Sequence, residues 1–281
     1  MFPIKIALVS KVTDVQFDEL SRVATALTMQ VSRDVTPLWG IAATVEAFHA
    51  QFPPGYWPMF VVANLPPTEG GFHLTKHNQP YAKVEVGAHW SLAASHELIE
   101  MLVDPSGNRL VAGPELQVQN GHVVENADKR VEYLVEACDP CEAPDFAYIV
   151  EDVIVSDFFT PHYHDPVVSP GTKYSFTGAL KKPRDVLKGG YISWFDPENQ
   201  TVRQVKYIGN SPVVVDPEAS FENAAQKAGR HLSLREYINN HTRTETMLSS
   251  WAEKSDIAKT QKVRHTALQA ASKYKTSLYP V

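Results

Sequence analysis

The chain has 281 residues, 43% hydrophobic and 21% charged, with a formal charge of −6. That length suits one large domain, or a catalytic domain with an appendage, and supplies enough apolar material for a sizeable core. No apolar run approaches the ~20 residues of a membrane span and Met1-Phe2-Pro3-Ile4-Lys5 is charged too soon for a signal peptide, so the expectation is a soluble, cytoplasmic protein without a membrane partner.

In chain order, Ile4-Lys5-Ile6-Ala7-Leu8-Val9-Ser10 reads as a buried opening strand. Leu20, Val23, Leu27 and Val31 then recur at helical spacing and predict a helix over Asp18 to Val31. Residues 43–48 and 57–63 read as strands, Pro66-Pro67 and Gly70-Gly71 as loop, and Phe72-His73-Leu74 and residues 82–86 as short strands at an exposed edge. Ala93 to Leu102 is the next helix, closed by the Asp104-Pro105-Ser106-Gly107 turn. A polar loop is expected up to Asn126. Between Asp128 and Cys138, Val131, Leu134, Val135 and Cys138 have helical spacing, while Val131, Tyr133, Val135 and Ala137 alternate as in a strand. Residues 148–150 and 153–155 look like a hairpin, and Pro161, Pro166 and Pro170 announce a loop-rich stretch to about Gly190. After Pro217 proline becomes scarce, helix formers dominate, and Ser233-Leu234-Arg235-Glu236 is a capping box.

The division expected is a body of residues 1–216 and a helical extension of residues 217–281. Residues 218–281 hold ten Lys and Arg and six Asp and Glu, so the extension is +4 and the body −10; it suits packing on the acidic body, a protein partner or self-association. Ten acids between Glu125 and Asp157, against Lys129 and Arg130, argue against nucleic acid. The two cysteines, Cys138 and Cys141, form one Cys-x-x-Cys, so no disulfide framework holds the fold. With no second pair they do not make a structural zinc site, and they read as partly buried thiols.

The chemistry lies in His96-Glu97-Leu98-Ile99-Glu100. One helical turn places His96 and Glu100 on the same face with Glu97 beside them, while Leu98, Met101 and Leu102 bury the helix and leave the trio on the remaining surface. His96 and Glu100 suit a divalent ion, zinc first and Mn²⁺ as an alternative because the second carboxylate hardens the site. Glu97 is placed to act as general base on a water.

The order strand, helix, strands, edge strand and motif helix resembles the zincin metallopeptidases over roughly residues 4–140. Ser-His-Glu-x-x-Glu-x-x-x-Asp-Pro followed by Glu-x-x-Asp is similar to a group of bacterial proteins with a zincin-like core. The chain differs from the metzincin pattern, carrying Glu100 in place of a second histidine. The resemblance implies an α+β fold with a zincin-like mixed sheet, peptide or amide hydrolysis, and an extended peptide or protein substrate along the edge strand. It also implies a third ligand downstream: Glu136, taken in gluzincin fashion from a following helix, or Asp139. Asp104, His162 and His164 are further candidates, and Tyr163 is the candidate oxyanion donor. The competing expectations are a non-catalytic peptide-binding module on the same scaffold, and a phage- or envelope-associated assembly protein.

Overall fold

The computed structural model describes residues 2–65, 70–216 and 232–241; the first sheet is built from the N-terminal third. Strand β1 (Ile4–Ser10) is central, parallel to β2 (Ala43–Phe48) on one side and β3 (Tyr56–Val62) on the other. Strand β5 (Gln79–Glu85) continues the parallel set beside β3, and β4 (Gly71–Lys76) closes the sheet as an antiparallel edge, giving the order β2-β1-β3-β5-β4. The near-continuous apolar run of β1 reflects burial on both faces. Ile6 and Leu8 join a core shared with helix α1 (Phe17–Gln30) and helix α3 (Trp90–Val103). Ala7 and Val9, on the opposite face, pack with Tyr56 and the phenylalanines 48, 52 and 60.

Helix α1 runs through a π-helical turn (Val31–Val35) into the short helix α2 (Thr36–Trp39), which ends on Gly40 in the left-handed conformation. The second sheet is antiparallel throughout. Its order is β12-β11-β10-β7-β6, from β6 (Leu110–Gln119), β7 (His122–Leu134), β10 (Tyr191–Asp196), β11 (Thr201–Ile208) and β12 (Ser211–Val215). Strands β8 (Tyr148–Val150) and β9 (Val153–Val155) form the expected hairpin, turned by Glu151 and Asp152 at positive φ. Helix α3 lies between two cores: Leu98, Met101 and Leu102 belong to the first, Ile99 and Val103 to the second.

The architecture is α+β, as expected, and residues 161–190 are loop-rich. One expectation is corrected and one open reading is decided. The stretch before Asn126 expected as a polar loop is β6 and the start of β7, and of the two readings offered for residues 128–138 the strand holds over 128–134, within β7. The two strands form a long ribbon turned at Asn120-Gly121, both at positive φ, and much of it meets solvent on both faces, which erases the apolar alternation of a half-buried strand.

Of the extension after Pro217, the described part is Leu232–His241. Ser233 Oγ accepts the Glu236 N–H at 3.0 Å, as a capping box requires, and helix α4 (Leu234–His241) docks on the body through Leu234, Tyr237 and Ile238 against Leu134 and Val202. The expectation of further helices falls outside the described residues. No described helix is long and apolar enough to cross a membrane.

Candidate metal centre

Every residue of α3 except Ser91 is buried, so His96, Glu97 and Glu100 are enclosed and not left on an open helix surface as their pattern suggested. The reason is the coverage: β4 and β5 pack on one flank of α3, β9 on another, and the segment after β7 crosses its polar side. The roll of the helix is fixed beside the motif. Ser95 Oγ donates to Gln30 Oε1 at 2.8 Å and accepts the Ser156 N–H at 2.9 Å, while Gln30 Nε2 donates to the Ser156 carbonyl at 3.0 Å.

One turn apart, His96 Nε2 and Glu100 Oε2 lie 3.2 Å from each other. Asp139 Oδ1 is also 3.2 Å from His96 Nε2. Asp139 arrives on a stretch that leaves β7 at Leu134 and ends in a 3₁₀ turn, Asp139–Cys141, so the downstream acids follow a strand and not the helix implied by the gluzincin resemblance. Glu100 holds this stretch in place, its Oε1 accepting the Cys138 N–H at 3.1 Å. Gly190 packs so close that a Cβ there would stand 2.6 Å from the carbonyl oxygens of Asp139 and Pro140. Glu136, Glu142 and Asp139 all face the cluster: Glu100, Glu136 and Asp139 form one group of converging donors, His96, Asp139 and Glu142 another.

On the other side, β4 contributes His73. Its Nε2 lies 3.2 Å from the Asp104 carbonyl and its Nδ1 3.3 Å from Glu97 Oε2. A carbonyl only accepts, so Nε2 is the donor toward Asp104 and Nδ1 faces the Glu97 carboxylate, an assignment made from the partners. Gly71 lets β4 come this near: a Cβ there would stand 2.7 Å from Glu97 Cγ.

The cluster also contains Arg235 from α4. Its Nη2 is 3.2 Å from Glu100 Oε2, and its Nη1 is 3.1 Å from Glu136 Oε2 and 3.0 Å from Asp139 Oδ2. Five enclosed carboxylates, those of Glu97, Glu100, Glu136, Asp139 and Glu142, thus face one guanidinium and two imidazoles. The titration behaviour shows the surplus of negative charge. Burial, reinforced by Glu100, Asp139 and Asp104, pushes Glu136 well above the usual carboxylate range despite Arg235. Burial and Glu100 also push Asp139 up. Burial opposes a charged His96, yet Glu100, Asp139 and Glu97 outweigh it and hold the imidazole well above its usual range. Against its own burial, Glu100 is held well below, by His96 and Arg235.

The structure therefore brings together His96, Glu97, Glu100, Glu136 and Asp139, five of the nine candidate residues of the sequence. Tyr163 is placed elsewhere. Its hydroxyl donates to the Asp185 carbonyl at 2.8 Å and its ring stacks on Phe159, which commits it to the second core. The Asp104 carboxylate accepts the N–H groups of Asn108 and Arg109, so its turn role accounts for it. His162 pairs with Asp165 on the surface, and His164 is held among Tyr133, Phe159 and Tyr163. Cys138 and Cys141 are free, buried thiols, pushed well up by burial; Cys138 also belongs to a donor group with His96 and Glu100. Sequence reasoning missed His73 and Arg235. In β4, Gly71 and His73 face inward, which brings His73 to Glu97.

Comparison of the chain with protein-family models, with curated proteins and with solved structures finds no match.

Proposed function

We propose that this chain is a metal-dependent hydrolase of zincin-like design, in which His96, Glu100 and Asp139 hold the ion and Glu97 is the general base. The observation that carries the reading is the enclosed donor group of His96, Asp139 and Glu142, with Asp139 Oδ1 and Glu100 Oε2 each 3.2 Å from His96 Nε2. Ligands about 2.0 Å from a tetrahedral zinc ion stand roughly 3.3 Å apart. The donor set, one imidazole and two carboxylates, fits zinc and also accepts Mn²⁺. Asp139 is favoured over Glu136 as the third ligand because Asp139 faces His96, while Glu136 Oε2 faces Arg235.

Zinc held there would supply Lewis-acid polarisation of a carbonyl and of a water molecule. Glu97, next to His96 and turned toward His73, would serve as the general base, with His73 keeping the carboxylate aimed. Strand β4 pairs only with β5 among the described residues, so its outer edge remains for an extended peptide, and Gly71 brings this strand against Glu97. Two reduced thiols fit a cytoplasmic setting.

The test is metal analysis of the purified chain and its variants. One zinc per chain is expected in the wild type after exposure to Zn²⁺ and none in His96→Ala; Glu97→Gln is expected to keep the ion and to lose at least ~100-fold of peptide or amide hydrolysis. Failure of both the wild type and Arg235→Gln to take up Zn²⁺ or Mn²⁺ ends the reading.

The contacts of Arg235 with three carboxylates favour a second reading: a non-catalytic module that binds a peptide on the β4 edge, its acids held by the arginine. In that case Glu97→Gln leaves peptide binding unchanged.

A further inference from the structure

We propose that helix α4 is an autoinhibitory plug, whose Arg235 guanidinium must leave before a divalent cation can enter between His96, Glu100 and Asp139. The inference rests on the metal reading above and concerns the regulation of that same site.

Glu100 Oε2 is the atom that faces His96 Nε2 at 3.2 Å, and Arg235 Nη2 lies 3.2 Å from that same atom. Asp139 faces His96 with Oδ1 and Arg235 with Oδ2. The guanidinium therefore holds both candidate carboxylate ligands, and as a permanent cation it repels a second cation placed on them. Arginine is 1% exposed at this position, so water screens the repulsion little.

Among the described residues, the attachment of α4 is built for this contact. The Arg235 N–H donates to the Gly107 carbonyl at 3.1 Å and the Leu234 N–H to Asn108 Oδ1 at 2.8 Å, so the turn that ends α3 is the receptor for the start of α4. Gly107 has φ +65°, and a Cβ on it would stand 2.7 Å from Arg235 Cβ. Beyond these bonds the helix is anchored by Leu234, Tyr237 and Ile238 on Leu134 and Val202. The described turns of α4 are held to the body by these contacts, so loss of this anchor withdraws Arg235 with the helix start. The seat is also imperfect: Arg235 Nε is enclosed without a hydrogen-bond acceptor among the described residues. An arginine serving only to stabilise the fold gains from full satisfaction, whereas one that must leave does not need it.

The experiment titrates Zn²⁺ into metal-free full-length protein by calorimetry, with circular dichroism to confirm folding. It compares the wild type, Arg235→Gln, and the pair Leu234→Ser with Ile238→Ser, which undocks α4 while keeping the arginine. Stoichiometric binding at least tenfold tighter in both variants than in the wild type is expected, and abolition of that binding by Glu100→Gln in the Arg235→Gln background. If Arg235→Gln fails to fold, the undocked pair decides alone. Equal binding by the wild type and the variants overturns the plug and leaves the metal site standing. Absence of binding in all of them overturns the metal reading and the plug with it.

Discussion

Two enclosed clusters of charge can be set side by side. On the second sheet, Lys129 lies 3.0 Å from Glu115 Oε1 and 2.5 Å from Asp196 Oδ2, and Arg203 lies 3.1 Å from the same Glu115 oxygen. Arg203 also lies 2.7 Å from Asp216 Oδ1, so three acids meet two bases, and Asn199 and Gln117 donate to the carboxylates as well. Against their burial, Glu115 is lowered, chiefly by Lys129 and Gln117, and Asp196 is brought down to about 2 by Lys129 and Asn199. At the α3 cluster five acids meet one arginine and two imidazoles, and two of the acids are pushed up. The two clusters therefore differ in the direction their acids are shifted: where cations and amides hold the acids down the network explains itself as structure, whereas acids pushed up favour a proton or a cation at the α3 cluster.

The comparison assumes that burial in this protein is costly to charge, and His164 calibrates the assumption. Both its ring nitrogens are shielded and without a partner among the described residues, and burial, with Arg184 and Arg109 nearby, pushes it down to about 3. The folded chain keeps this imidazole neutral while the unfolded chain protonates it near pH 6.5. Stability attributable to His164 is therefore intact above that pH and falls as pH drops toward 3. His164→Leu is expected to remove about 3 kcal/mol of acid destabilisation at pH 4, measured as the difference in urea midpoints between pH 7 and pH 4. An unchanged acid sensitivity would show that the site is wet.

Next in size, Lys129→Met strands Asp196 and Glu115 and is expected to lower stability by about 2 kcal/mol at pH 7, whether or not Zn²⁺ is added. A loss below about 0.5 kcal/mol would reduce this network to the rank of surface pairs. The smallest effect has the opposite sign. Glu136→Gln removes one surplus carboxylate and is expected to stabilise the metal-free protein by about 1 kcal/mol at pH 7, read by thermal or urea unfolding. A net loss would mean that Arg235 depends on Glu136, and the two clusters would then be alike.

The parts of this molecule legible in the sequence are those with a single dominant period. Leu20, Val23 and Leu27 gave α1, the unbroken apolar run gave β1, and His96-x-x-x-Glu100 gave the heart of the site. Where two periods overlap, as in Val131 to Cys138, only packing decides, and the pairing of β7 with β10 through Tyr133 and Trp194 selects the strand. His73 and Arg235 escaped because a single inward-facing side chain leaves no pattern: the contact of Arg235 with Glu100 spans 135 residues and depends on a helix docking that no local signal encodes.

The hydrogen bonds of Ser95 to Gln30 and Ser156 have a consequence for tolerance. Side-chain tips on a helix lie about 6 Å from its axis, so a roll of roughly 20° carries them about 2 Å sideways. For His96, the next residue along, that drift equals the whole length of a bond between zinc and nitrogen. The clamp thus works like the keyway of a shaft, and the chemistry at His96 is sensitive to the seating of α1 on the far side of the core.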